Sequence, residues 1–242
     1  MEIYPDISGS GSLILAWQVK GKPVTVVGGG DVATGRVRNL LEADAVVTVV
    51  CPTDGISPEL AYRVTKGQIT HLARAFDLAK DLHDSMPAMV LIAIDSPSVS
   101  SEIYKECKKL RIPVNVADVP PECDFYFGSM YRDGPLQVMV STNGNGPKMA
   151  NLVRRKIEAE LEKEPIGCAI EKLGELRRMV RQRVPGSEKS DVRKRMKWVS
   201  QLSEKWTIAD LAKLDDETMT KLVDRLDEEP PLCSELSDLK IV

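Results

Sequence analysis

Histidine is nearly absent: His71 and His83 are the only two in 242 residues, and they form no His-x-x-x-His register. A histidine-built metal centre is therefore not expected, and no metal site is assigned to the chain. The five cysteines (Cys51, Cys107, Cys123, Cys168 and Cys233) are odd in number, and no Cys-x-x-Cys pair occurs. That excludes a zinc ribbon, a thioredoxin-type redox motif and a disulfide framework, and it reads as reduced thiols in a cytoplasmic protein. No apolar run approaches the roughly 18 residues of a membrane span. The opening Met1-Glu2-Ile3-Tyr4-Pro5-Asp6 has no basic residue, and arginine is missing until Arg36, so neither a secretory signal nor a mitochondrial presequence is expected. An excess of one charge is also lacking. Thirty-three Lys+Arg against 36 Asp+Glu give a net −3, which excludes a generic nucleic-acid coat and a polybasic membrane anchor. There is no internal repeat and no low-complexity segment.

What remains is a globular composition, 43% hydrophobic and 29% charged. The mass of 26.7 kDa allows one or two domains, or one with an appendage. The first third alternates β-branched runs with amphipathic stretches. Strands are expected at 23–28, 46–51, 68–73, 88–94 and 113–117, with helices over 32–43, 57–66 and 98–110. Continuous apolar strands separated by helices predict a parallel sheet covered on both faces. Two apolar runs, 124–131 and 136–142, flank Arg132-Asp133-Gly134-Pro135, whose Asp-Gly pair predicts a hairpin. Helices are expected at 149–163, 166–182, 190–205 and 208–226, with Trp198 and Trp206 in their core.

Charge within the helical part is uneven. From Lys148 to Lys197 there are fifteen Lys/Arg and eight Asp/Glu, and from Trp198 onward five and eleven. The basic stretch reads either as solvated helix faces or as a wall for an anionic ligand. Arg177 and Arg178 read equally as a helix face or as dimer salt bridges.

Gly28-Gly29-Gly30-Asp31-Val32-Ala33 fits G-x-G-x-x-A between a strand and a helix. In a dinucleotide fold Gly28 makes the tight turn, Gly30 lets backbone approach a pyrophosphate, and the helix N-terminus supplies N–H groups and positive dipole. The alternative is a glycine-rich turn without a ligand. The acidic residue that usually ends the second strand is replaced by Cys51, followed by Pro52-Thr53-Asp54. No Lys or Arg follows to hold a 2′-phosphate, so NAD is favoured over NADP. Asn115-Val116-Ala117-Asp118 closes the fifth strand, where open parallel sheets place ligands. Asp118 reads as a general base or as a residue capping the next turn. Cys51 and Cys123 read as packing residues.

These motifs, in order with Cys123-Asp124-Phe125-Tyr126-Phe127-Gly128, Ser141-Thr142-Asn143-Gly144-x-x-Pro147 and Lys172-Leu173-Gly174-Glu175-Leu176-Arg177-Arg178, resemble the siroheme synthase family in its stand-alone, two-step form. The resemblance spans about residues 13–185; beyond it the chain matches only in being helical and charged. It implies an α/β fold: a Rossmann-like domain over 1–118, a small α+β dimerisation region over 119–164 and a helical C-terminal domain over 165–242. It implies NAD-dependent oxidation of precorrin-2 to sirohydrochlorin, then insertion of ferrous iron, as substrate, to give siroheme. By the same resemblance Asp118 serves both steps, and Asp31, Val32, Pro52 and Thr53 contact NAD together with Gly28 and Gly30. The tetrapyrrole carboxylates then call for hydrogen-bonding and cationic groups, which Asn115, Ser141, Thr142, Asn143, Lys148 and Arg154 offer. Phosphate on Ser141 or Thr142 would oppose those carboxylates. Partners implied are the tetrapyrrole and a second copy of the chain, with no nucleic acid and no membrane. A dehydrogenase without chelatase activity and a non-catalytic NAD-sensing module stand as alternatives.

Overall fold

Five apolar segments build one parallel sheet in a computed structural model that describes residues 9–236. They are β1 (Pro23–Val27), β2 (Val46–Val50), β3 (Thr70–Leu72), β4 (Met89–Ile92) and β5 (Val114–Val116). The order is β3-β2-β1-β4-β5, so the chain reverses its direction of travel across the sheet between β1 and β4. Helices α1 (Asp31–Glu42), α2 (Pro58–Thr65), α3 (Leu78–Asp81) and α4 (Pro97–Lys109) are the crossovers. Strand side chains alternate between faces. Val24, Val26, Val49 and Leu91 join Val37, Leu40 and Leu60 of α1 and α2 in one core. Val27, Val90, Ile92 and Val114 join Leu82, Ile103 and Cys107 in the other. The expected two-sided parallel sheet is what forms.

The chain divides into two compact units, the first ending at Phe127 and the second beginning at Gly128. Residues 124–127, expected as part of the hairpin, stay with the sheet instead. Asn115 Nδ2 donates to the Phe125 carbonyl at 2.8 Å, and Cys123 Sγ to the Val116 carbonyl at 3.1 Å. Phe125 and Phe127 then pack on the α1 side of the sheet. The hairpin itself is shorter, β6 (Ser129–Asp133) and β7 (Leu136–Val140), turning at Gly134 with φ +53°.

The second unit continues with α5 (Pro147–Leu161), α6 (Ile166–Arg183), α7 (Lys189–Lys205), α8 (Ile208–Ala212), α9 (Asp216–Asp224) and α10 (Cys233–Leu236). The expected helix over 208–226 is broken, because two caps compete with it. Thr207 and Asp210 form a capping box on α8, and Asp215 accepts from the Thr218 N–H at 2.8 Å to restart the chain as α9. Leu176, Leu202 and Leu222, each fully buried, centre this helical core. Trp198 and Trp206 lie in it as expected, their indole N–H groups donating to the carbonyls of Glu228 and Pro231.

One ion pair in the first unit gives a pH test. Glu59 on α2 accepts from Arg38 on α1, and also from Arg63. Hydrogen bonding from Arg38 first, then from Arg63, holds its carboxyl at about 2. An unfolded glutamate titrates near ~4.3. The folded value is depressed, so the stabilisation is fully present above ~4.3 and is lost as pH falls toward 2. Glu59→Gln should lower the melting temperature at neutral pH and converge with the wild type in acid. An equal deficit at both pH values would contradict this.

Candidate active site

The turn after β1 is shaped by its surroundings. Gly28 has φ +112°, and a side chain there would run into the Ala93 carbonyl that follows β4. A Cβ at Gly29 would lie 2.5 Å from the Gly55 carbonyl oxygen and 2.6 Å from Cys51 Sγ. The loop after β2 is thus packed directly beneath the turn. The Ser57 N–H donates to the Gly29 carbonyl at 2.8 Å, and the Ser57 and Thr34 hydroxyls meet at 2.7 Å. Gly30 differs from both. It N-caps α1 without a side-chain cap, and nothing lies within 4 Å of a Cβ built on it. The open position and the uncapped N–H groups of the first turn are what an approaching pyrophosphate requires.

Asp31 and the half-exposed Val32 open α1 at this edge, with Pro52 and Thr53 exposed in the loop packed beside it. The two segments expected to contact NAD are therefore neighbours. Cys51 takes no part in that surface: it is 3% exposed, His71 Nε2 lies 2.9 Å from its carbonyl oxygen, and burial, then Asp54, pushes its thiol up. This cysteine supports the turn from below, which explains why it stands where an acidic residue is usual. His83 lies against Glu106.

Asp118 follows β5, two strands from β1 across β4, or about 10 Å at ~4.8 Å per strand. The Val119 N–H donates to the Val116 carbonyl, closing a tight turn with Asp118 at φ +59°. Glycine or asparagine is usual in that position. The carboxylate is exposed and accepts no hydrogen bond from a described residue, so it does not cap the turn. Asn115 is used differently from the sequence expectation. It is 4% exposed, and its amide is engaged with Phe125 and Cys123.

One residue was missed from the sequence. Arg36 on α1 is half-buried, with its guanidinium carbon 3.9 Å from the centre of the Phe127 ring. Burial lowers its pKa, opposed by nearby Cys123 and Asp118. Its position in the 33-36-37-40 stripe, whose other members are buried, was the available signal.

In the second unit, Ser141, Thr142 and Asn143 lie in the loop between β7 and α5. Ser141 Oγ accepts from the Asn143 N–H at 3.1 Å and Thr142 Oγ1 from the Gly146 N–H at 3.2 Å, so both hydroxyls help to fold the loop. Asn143 has φ +51°. Lys148 is exposed in the first turn of α5. Arg154 is already paired with Glu158 at 2.6 Å.

Comparisons with known proteins decide the family. A profile described as "Putative NAD(P)-binding" matches residues 15–129. Two described as sirohaem biosynthesis protein central and C-terminal match 133–160 and 164–230. The siroheme biosynthesis protein met8 of Schizosaccharomyces pombe is 49% identical over 97% of this chain and 87% of its own length. The chain belongs to the siroheme biosynthesis protein family. Siroheme synthase 1 of Serratia proteamaculans is 37% identical over 69% of this chain, which spans only 34% of that longer protein. The solved structure of SirC, a precorrin-2 dehydrogenase, superposes with a TM-score of 0.58 at 21% identity, covering 89% of this chain and 99% of that one. That likeness establishes the fold. Among the described residues of this family member, no cluster of three or more His, Cys, Asp or Glu is placed to hold a metal ion. No helix among them is long and apolar enough to cross a membrane.

Proposed function

We propose that the chain oxidises precorrin-2 to sirohydrochlorin with NAD and then assists insertion of ferrous iron, a substrate, to give siroheme. The observation that carries this reading is the pairing, within one sheet, of an open Gly30 turn with an uncapped carboxylate at Asp118. NAD, when bound, supplies the hydride acceptor. Gly28, Gly30 and the first turn of α1 would hold its pyrophosphate, with Asp31, Val32, Pro52 and Thr53 along the nucleotide. The loop after β2 offers no Lys or Arg for a 2′-phosphate, which favours NAD over NADP.

Loss of a hydride from precorrin-2 leaves a proton to be removed, and Asp118 accepts it. Iron insertion releases two pyrrole N–H protons; the same carboxylate takes one and solvent water the other. Arg36 acts through Asp118 as a positioning residue, as does Asn115 through the 123–125 segment. Ser141, Thr142, Asn143, Lys148 and Arg154 are proposed to meet substrate carboxylates; Arg154 does so by exchanging Glu158 for the ligand.

The test of the second step is anaerobic incubation of sirohydrochlorin with ferrous ion and no NAD. Siroheme formation above the spontaneous rate supports the two-step reading. A spontaneous rate alone, with NAD-dependent oxidation intact, reduces the chain to a dehydrogenase.

A homodimer belongs to the same proposal. Met149, Leu152 and Val153 form an exposed apolar face on α5, with Met130 of the hairpin also 40% exposed. Light scattering should give twice 26.7 kDa for the wild type and the single-chain mass for Val153→Asp. A wild type of single-chain mass at micromolar concentration would reject the dimer. With five unpaired thiols, the proposed setting is the reducing cytoplasm.

A further inference from the structure

Several basic side chains in the second unit have an acidic partner. Lys172 pairs with Glu175, Lys194 with Asp227, Lys205 with Glu229 and Arg225 with Glu228. The groove between α6 and α7 gathers basic side chains that have none. Arg177, Arg178 and Arg181 of α6 line it, and none forms a salt bridge with a carboxylate among the described residues. Glu204 is the one acidic residue on its wall. Like charges gathered without counter-ions repel one another, and a bound anion would relieve that repulsion.

The floor of the groove is apolar. Leu173, Val180, Val192, Met196 and Val199 contribute to it, and Met196 is 63% exposed in the open groove. Its volume is about 690 Å³, within the range of small-molecule sites. The walls are set by packing. Arg195 donates to the carbonyls of Val184 and Gly186, both at 2.6 Å, which ties the α6–α7 connection to α7. No aromatic side chain lines the groove, so it offers nothing for a nucleobase to stack on. Arginine forks suit planar carboxylates, and a methionine-bearing floor adapts to a broad apolar body.

We infer that the α6–α7 groove is a second binding site, built wholly within the helical unit, for a carboxylated tetrapyrrole. The groove stands on its own lining; the ligand class rests on the proposed function. Such a site holds substrate or product on the protein outside the chemical step.

Uroporphyrin is a usable probe, because a bound porphyrin quenches nearby tryptophan and Trp198 and Trp206 lie on or just after α7. The wild type should show saturable quenching that weakens with salt. Arg177→Glu/Arg181→Glu should weaken it by about 10-fold or more. Turnover at saturating precorrin-2 should stay unchanged in that variant. Arg178→Gln, a milder change at an exposed position, should weaken quenching in the same direction and guards against a folding defect. Quenching unaltered by both variants overturns the proposal, as does wild-type protein that binds inorganic polyphosphate in preference to the porphyrin. Porphyrin binding with no turnover of precorrin-2 would remove the proposed function and leave the groove. Turnover with no groove binding would do the reverse.

Discussion

Asp118→Asn lowers precorrin-2 oxidation by about 10²- to 10⁴-fold, the usual weight of a positioned general base, with NAD affinity and melting temperature close to wild type. Asparagine is the informative substitution because of the backbone. Asp118 sits at φ +59°, where asparagine is tolerated and alanine is strained. Alanine would mix a local backbone cost with the loss of the carboxylate; asparagine removes only the proton acceptor. The side chain makes no hydrogen bond to a described residue, so its removal leaves no buried partner among them unsatisfied. Arg36→Met lies on the same line of reasoning and should reduce turnover by a smaller factor. A melting temperature that fell with turnover would recast Arg36 as a packing residue on Phe127. Full turnover in Asp118→Asn would remove the base from the account altogether.

Gly30→Asp abolishes NAD-dependent turnover by weakening NAD binding about 100-fold or more, as like charges brought together cost several kcal/mol. The fold should survive. Nothing lies within 4 Å of the new Cβ, and aspartate at an N-cap favours α1 through the helix dipole. The same change at Gly28 gives the opposite pattern. There a side chain meets the Ala93 carbonyl at φ +112°, so Gly28→Asp should unfold the unit rather than select against the cofactor. Titration calorimetry with NAD, paired with thermal denaturation, separates the two. Wild-type NAD affinity in Gly30→Asp would mean that this turn holds no pyrophosphate. Iron insertion surviving in Gly30→Asp would show that the proposed second step has no need of the nucleotide.

Much of this was legible in the sequence because the physics is local. β-Branched runs buried on both faces can only be parallel strands, and each run expected from residues 23 to 117 holds a strand of the sheet. The G-x-G-x-x-A turn carries its own geometry. Single residues whose role depends on distant neighbours were not legible. Asn115 read as a ligand-facing amide, yet it binds the Phe125 carbonyl, ten residues on in the chain. Residues 124–127 read as hairpin strand because apolar character alone does not tell which core a segment joins. The helix over 208–226 split because its capping residues, Thr207, Asp210 and Asp215, outweighed continuous apolar periodicity. Arg36 belongs to no motif in the sequence, and only the fold shows that Phe127 returns to lie beneath it.

The central claim is that one carboxylate, placed across the sheet from an open nucleotide turn, makes this chain a dehydrogenase. Anaerobic incubation of precorrin-2 with NAD, followed at the absorbance of NADH and of sirohydrochlorin, tests it most directly in wild type and Asp118→Asn side by side. The account predicts equal rise of both products in the wild type and neither above background in the variant. No NADH from the wild type, or equal rates from the two proteins, would contradict it.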